Sequence, residues 1–178
     1  MTDLKKASAK TALMDTLTNL LYKKTFQKIS VNELCETSHV SRSSFYANFE
    51  DKYHLLASLL EATAEQIDAL IESASPDQLL LFILDQIQKD DRLFYNAFHS
   101  ELDKGTMMVL YHFFERHLSE ILKQKTSQGI DFPKPLSITC SFYIGGLVTA
   151  TLEWIRSGYK LPKEEIADCL SRLMTDVF

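Results

Sequence analysis

The segment VSRSSFYANFEDKYHLL, Val40 to Leu56, concentrates groups that bond phosphates and base edges. Ser41, Ser43 and Ser44 carry short side chains, which let a backbone come close to an anion. Hydroxyls and helix N-terminal amides then bond its oxygens. Arg42 can neutralise a phosphate or pair with both acceptors of a guanine edge. Tyr46 offers a ring to a sugar–phosphate wall and a hydroxyl to a phosphate. Asn48 carries the amide that matches an adenine edge, and Lys52 adds a cation for another backbone contact. Phe45 and Phe49 face the other way, where they can pin the segment to its neighbours. A polar linker with two core aromatics would have much the same composition, so the pattern alone leaves both readings open.

Elsewhere the reactive residue types do not assemble. Cys35, Cys140 and Cys169 are far apart and none sits in a CxxC, which fits a reducing cytoplasm. His112 and His117 do not share a helical face, as metal ligands three or four positions apart would. No Gly-rich phosphate loop, nucleophile elbow or HExxH is present. The expectation is no catalysis, no metal and no cofactor.

The elements that position the polar segment are helical. Leu13, Leu17, Leu20 and Leu21 form a stripe at helical spacing. They predict a first helix from about Leu4 to Lys24, with Lys23 and Lys24 suiting the negative C-terminal end. Ser30 with Glu33 reads as a capping box that starts a second helix at Val31. Ser41 can cap a third over Arg42 to Ala47. Two short helices joined by TSHV, the second led by polar residues, describe a helix-turn-helix, whose second helix enters the major groove.

A longer helix follows, with Leu56, Leu59, Leu60, Thr63, Ile67, Leu70 and Ile71 on one face. Ser75 and Pro76 start the next. Within it LLLFIL, Leu79 to Leu84, is apolar all round and reads as central. Helical pieces over Asp91 to His99, Thr106 to Lys125, Leu136 to Ser157 and Pro162 to Asp176 complete an all-α protein of about nine helices. Pro135 to Leu152 carries no charge, yet its serines, threonines and glycines favour burial in protein over a membrane.

Charge is unevenly placed. Through Leu56 there are eight basic residues (Lys5, Lys6, Lys10, Lys23, Lys24, Lys28, Arg42, Lys52) and six acidic ones (Asp3, Asp15, Glu33, Glu36, Glu50, Asp51). The formal total of −5 therefore leaves −7 on the remainder. A mildly basic head on an acidic body lets one end approach a polyanion.

The run FQKISVNELCETSHVSRSSFYANFEDKYHLL closely resembles the N-terminal domain of the TetR family of transcriptional regulators. The match spans roughly Thr11 to Leu60 and includes the IS start of the second helix and the VSRSSFY–NF–DK–LL core. DKYHLL, RLFYNAF and FYIGGLVTATLEWIRSGYKLPKEEIA are similar to the subgroup of regulators of dihydroxyacetone kinase operons. The resemblance implies a head at residues 1–50 that binds a palindromic operator in double-stranded DNA. It implies a body at residues 51–178 that forms a homodimer and binds a small effector. By position, DNA contacts fall at Val31, Ser41, Arg42, Ser43, Ser44, Tyr46, Ala47, Asn48 and Lys52. Ala47 stands where many members have an aromatic, and Asn48 where many have His or Tyr, so the operator does not carry over from a relative.

In the body, Gly145 and Gly146 each cost about 1 kcal/mol relative to alanine inside a helix. Close approach of another helix would offset that. The family's pairing of the last two helices implies a surface of Gly146, Thr149, Ala150, Glu153, Trp154, Ile166, Cys169, Leu170 and Leu173. Phe82, Tyr95, Phe98, His99, Met108, Tyr111, His112, Phe142 and Tyr143 combine rings with polar tips, as a small-molecule cavity does. A packed core has the same composition. Two other classes stay in view. One is a DNA-bound coregulator driven by a protein partner, marked by a solid core with an exposed apolar patch. The other is an all-α enzyme, marked by titratable groups clustered in a cleft.

Overall fold

The computed structural model describes residues 2–71, 75–100, 103–127, 129 and 132–175, with side chains described except at 2–7, 63, 65–71, 76, 77 and 175. The expected apolar positions Thr63, Ile67, Leu70 and Ile71, and the last-helix residue Asp176, lie outside that set. The described elements are α1 (Thr2–Leu21), a 3-10 turn (Phe26–Lys28), α2 (Val31–Ser38), α3 (Arg42–Tyr46), α4 (Lys52–Ile71), α5 (Pro76–Lys89), α6 (Asp91–Phe98), α7 (Lys104–Ser127), α8 (Leu136–Arg156) and α9 (Lys163–Thr175). No strand occurs among the described residues, so the chain is all-α.

The head is built from caps and one apolar stripe. Leu13, Leu17 and Leu21 of α1 are fully buried with Phe26, Leu34, Phe45, Leu55 and Leu56. α1 stops at Leu21, earlier than Lys24, because the amides of Lys23 and Lys24 both turn back to the Leu20 carbonyl. The Lys24 ammonium is drawn instead to Glu33 of α2. Ser30 caps α2 by accepting from the Glu33 amide at 3.2 Å. The Glu33 carboxylate is engaged by Lys24. α2 ends at His39, whose φ of 55° is left-handed, and the chain turns there so that the Val40 amide reaches the Cys35 carbonyl at 3.0 Å.

α4 joins head to body. Its first turns bury Leu55 and Leu56 in the head, and Leu60 and Ala64 are buried further along. α7 packs against both α4 and α8, α5 packs against α9, and α6 lies against α1 and α8. Ser75 and Gln78 make a complete capping box at the start of α5. The LLLFIL run is not central throughout: Leu79, Leu80 and Leu84 are buried, but Leu81 is 37% exposed. α5 is a two-sided element with an outer edge, which the unbroken apolar run conceals. α8 is long and apolar enough to cross a membrane, yet 56% of its apolar window is buried against the rest of the chain.

Asp85 of α5 bonds Lys163 of α9 at 2.5 Å and Lys89 at 3.1 Å. These bonds, Lys163's first, hold the Asp85 carboxyl below its usual value against the smaller effect of burial. A carboxyl depressed in the folded state contributes stability above the unfolded pKa and loses it as pH falls through the folded one. The Tm of Asp85→Asn should therefore lie below wild type near neutrality and converge with it in acid, as followed by circular dichroism. A gap constant with pH would contradict this tie.

Candidate nucleic-acid interface

α3 divides into two faces. Phe45 is fully buried and Phe49 is 2% exposed, and their rings lie 5.8 Å apart. Ser41, Arg42, Ser43, Tyr46 and Ala47 are exposed, while Val31, Ser44 and Asn48 are half-buried. The aromatic pair thus fixes the helix with its polar edge outward. Ser41 caps it by accepting from the Ser44 amide at 3.1 Å, and its hydroxyl also bonds those of Ser43 and Ser44. These hydroxyls satisfy one another in the free protein and remain on the surface.

Arg42 is held in advance of any ligand. Its guanidinium lies 5.8 Å from the centre of the Tyr46 ring and bonds the Asn32 side-chain oxygen. Asn32, exposed on α2, did not stand out in the sequence; only the approach of α2 to α3 gives it this role. Tyr46 is 51% exposed, its ring braced edge-on by Phe45 at 5.3 Å. Asn48 donates to the Ser44 carbonyl at 2.7 Å, so one of its donors is already used. That leaves it less able to make the paired contact that adenine reading needs.

Lys52 does not project as a free cation. Its ammonium donates to the carbonyls of Phe26 at 3.0 Å, Ile29 at 3.0 Å and Gln27 at 3.4 Å. It also sits 4.5 Å from the centre of the Phe26 ring. Burial pushes its pKa down, and the charge of Asp103 partly restores it. Three carbonyls match the three donors of an ammonium. The residue closes the turn between α1 and α2 from the first position of α4.

The residues expected to line a cavity are dispersed. Phe98 is fully buried and Tyr143 is 7% exposed. Phe82 and Tyr111 are half-buried. Tyr95 and His99 stack on each other at 4.9 Å near the surface. Met108 is 43% and Phe142 72% exposed, and His112 faces solvent beside Glu115. Between α4, α5, α6 and α7 lies a different feature, an apolar void of about 30 Å3 lined by Leu60, Ile83, Gln86, Ile87, Phe94, Leu110, Phe113 and Phe114. That is room for about one water. An open groove of about 400 Å3 lies at the head–body junction, bordered by Lys10, His54, Ser58, Glu61 and Arg116.

The expected pairing surface also separates. Trp154 is 2% exposed and donates to the Leu161 carbonyl at 2.8 Å, so it belongs to the core of one chain. Leu170 is 9% exposed on the helix that packs on α5. Ala150 and Ile166 are half-buried, whereas Gly146, Thr149, Glu153, Cys169 and Leu173 are exposed. Ile138 at 65% and Phe142 at 72% join the exposed side of α8. A Cβ at Gly145 or Gly146 would meet nothing within 4 Å, so packing within this chain does not require either glycine.

A model of the C-terminal region of transcriptional regulators of the TetR type matches residues 74–176. The chain belongs to the TetR family. Solved TetR-family structures share its fold over nearly the whole length. A TetR regulator from Streptococcus agalactiae is 18% identical with a TM-score of 0.67, covering 97% of this chain and 96% of that one. FadR from Thermus thermophilus, a repressor solved with lauroyl-CoA, is 17% identical with a TM-score of 0.70, covering 95% and 94%. DhaS, a dihydroxyacetone kinase operon activator, is 18% identical with a TM-score of 0.60, covering 95% and 96%. No curated protein matches the chain. These neighbours share the fold; the match over residues 74–176 is what makes this chain a transcriptional regulator of the TetR type.

Proposed function

We propose that this TetR-family chain is a cytoplasmic repressor that binds a palindromic operator as a homodimer and is modulated by a small effector. The observation that carries the reading is α3: a serine-capped, outward polar edge with Arg42 preset over Tyr46, backed by two buried phenylalanines. Val31, Ser41, Arg42, Ser43, Ser44, Tyr46, Ala47 and Asn48 form the contact edge. Arg42→Ala should weaken operator binding roughly ten- to a hundredfold and lower the slope of log affinity against log salt by about one. Unchanged affinity and slope in fluorescence anisotropy would remove α3 from the account.

Pairing is supported by the exposed side of α8, where Ile138 and Phe142 lie beside two glycines with open space above them. Leu173 of α9 is 62% exposed. A two-fold dimer places two heads on half-sites about 34 Å apart. Phe142→Asp combined with Leu173→Asp should yield a folded monomer in sedimentation, since neither residue is buried in one chain. An intact dimer would move the interface elsewhere.

The effector's seat is the seam between α4, α5, α6 and α7. Its lining is apolar apart from Gln86, which suits a guest such as the acyl chain named for the FadR neighbour. The seam must open to admit it, and that would move α4 against α7. The small volume of the seam, about 30 Å3, also favours a second reading, in which a protein partner supplies the signal. Titration with lauroyl-CoA separates them. A saturable rise in Tm with loss of operator binding supports the seam; a flat response favours the partner.

A further inference from the structure

We infer that Asp103 is a positioning residue: it clasps the start of α7 to the head and thereby fixes the separation of the two heads that the operator reads. Asp103 precedes α7 and caps it, accepting from the amides of Gly105 at 3.0 Å and Thr106 at 3.3 Å. The same carboxylate accepts from two head-side donors. The Tyr53 hydroxyl of α4 reaches Oδ1 at 3.2 Å, and the Gln27 amide of the 3-10 turn reaches Oδ2 at 2.9 Å. One charged group thus serves three segments that are distant in sequence.

The packing around it leaves little slack. A Cβ at Gly105 would fall 2.3 Å from the Tyr53 ring, so the glycine is what lets the ring lie against the first turn of α7. Tyr53 in turn packs edge-on against Phe26 at 5.3 Å. Lys52, next to Tyr53, anchors the carbonyls on either side of Gln27. The 3-10 turn, the start of α4 and the start of α7 therefore form one block. A rotation of the head about α4 has to break the bonds to Asp103. Charged hydrogen bonds are the stronger kind, and two of them at the end of the body act on a head whose reading edge lies further out. Small changes there become changes in half-site distance.

The inference rests on the dimeric-operator reading, and its test separates the two. Gln27→Ala with Tyr53→Phe removes both head-side donors and leaves the cap of α7 intact. Full-length wild type first selects its operator from a random duplex library. Both proteins are then titrated by anisotropy against that operator and against versions with the centre lengthened or shortened by one base pair. The double variant should bind the selected spacing roughly fivefold or more weakly, within the range of measured couplings. Its penalty for the altered spacings should shrink. A uniform loss at all spacings would mark mere destabilisation and overturn the clasp. A wild-type optimum unchanged in the double variant would overturn it as well. A wild type indifferent to spacing would remove the dimeric-operator reading and the clasp with it. Gly105→Ala, which displaces the Tyr53 ring, should reproduce the flattened profile with both donors present.

Discussion

Phe98→Ala is expected to remove about 3–5 kcal/mol of stability, the usual consequence of deleting a core aromatic. For a chain of this size that is a fall in Tm of roughly 6–20 °C. The residue is fully buried and stacks with Phe94 at 6.2 Å, so its loss leaves a cavity beside the seam. Phe142→Ala should behave oppositely. At 72% exposed, the ring contributes little to the fold of a single chain. Its truncation should act on the dimer and show as a lower Tm with a shallower dependence on protein concentration, since a weakened dimer contributes less by mass action. Calorimetry at several concentrations distinguishes the two. Equal losses in both variants would return Phe142 to the body core.

Lys52→Met should destabilise the head by about 1.5–3 kcal/mol, the range for hydrogen bonds to a charged group. The variant leaves the Gln27 and Ile29 carbonyls without the ammonium, while the Phe26 carbonyl keeps the Ile29 amide at 3.0 Å. Below its lowered Tm the variant should keep the wild-type salt slope in operator binding, because the ammonium is directed inward. Arg42→Ala should do the reverse, with Tm nearly unchanged and the slope lowered by about one. A lowered slope for Lys52→Met would mean that the ammonium leaves its three carbonyls to meet a phosphate.

Local chemistry was legible in the sequence wherever a residue and its partner lie within one turn. Ser30, Ser41 and Ser75 cap helices where their spacing to Glu33, Ser44 and Gln78 requires it. The inward Phe45 and Phe49 fix which edge of α3 looks out, so the exposure of its polar edge followed from the residue pattern. The signal for Asp103 was also present, as DKGT at the start of a helix. Its second set of partners, Gln27 and Tyr53, was not.

Only the tertiary structure decided where long side chains and aromatic faces end. Lys52 could reach solvent or the turn behind it, and three carbonyls assembled from the 3-10 turn and the residue after it captured it. Phe98, Phe142 and Trp154 look alike as large apolar residues on helices. Helical period states which residues share a face; it does not state which neighbour covers that face. Phe98 and Trp154 are buried in the fold of the single chain, whereas Phe142 is left 72% exposed, and that difference is set by how distant segments pack. Composition gave the body aromatics enough for either a cavity or a core. Among the described residues, α4 to α7 leave a small, partly open apolar crevice of about 30 Å3, because shape complementarity between distant helices, rather than residue type, decides whether space remains.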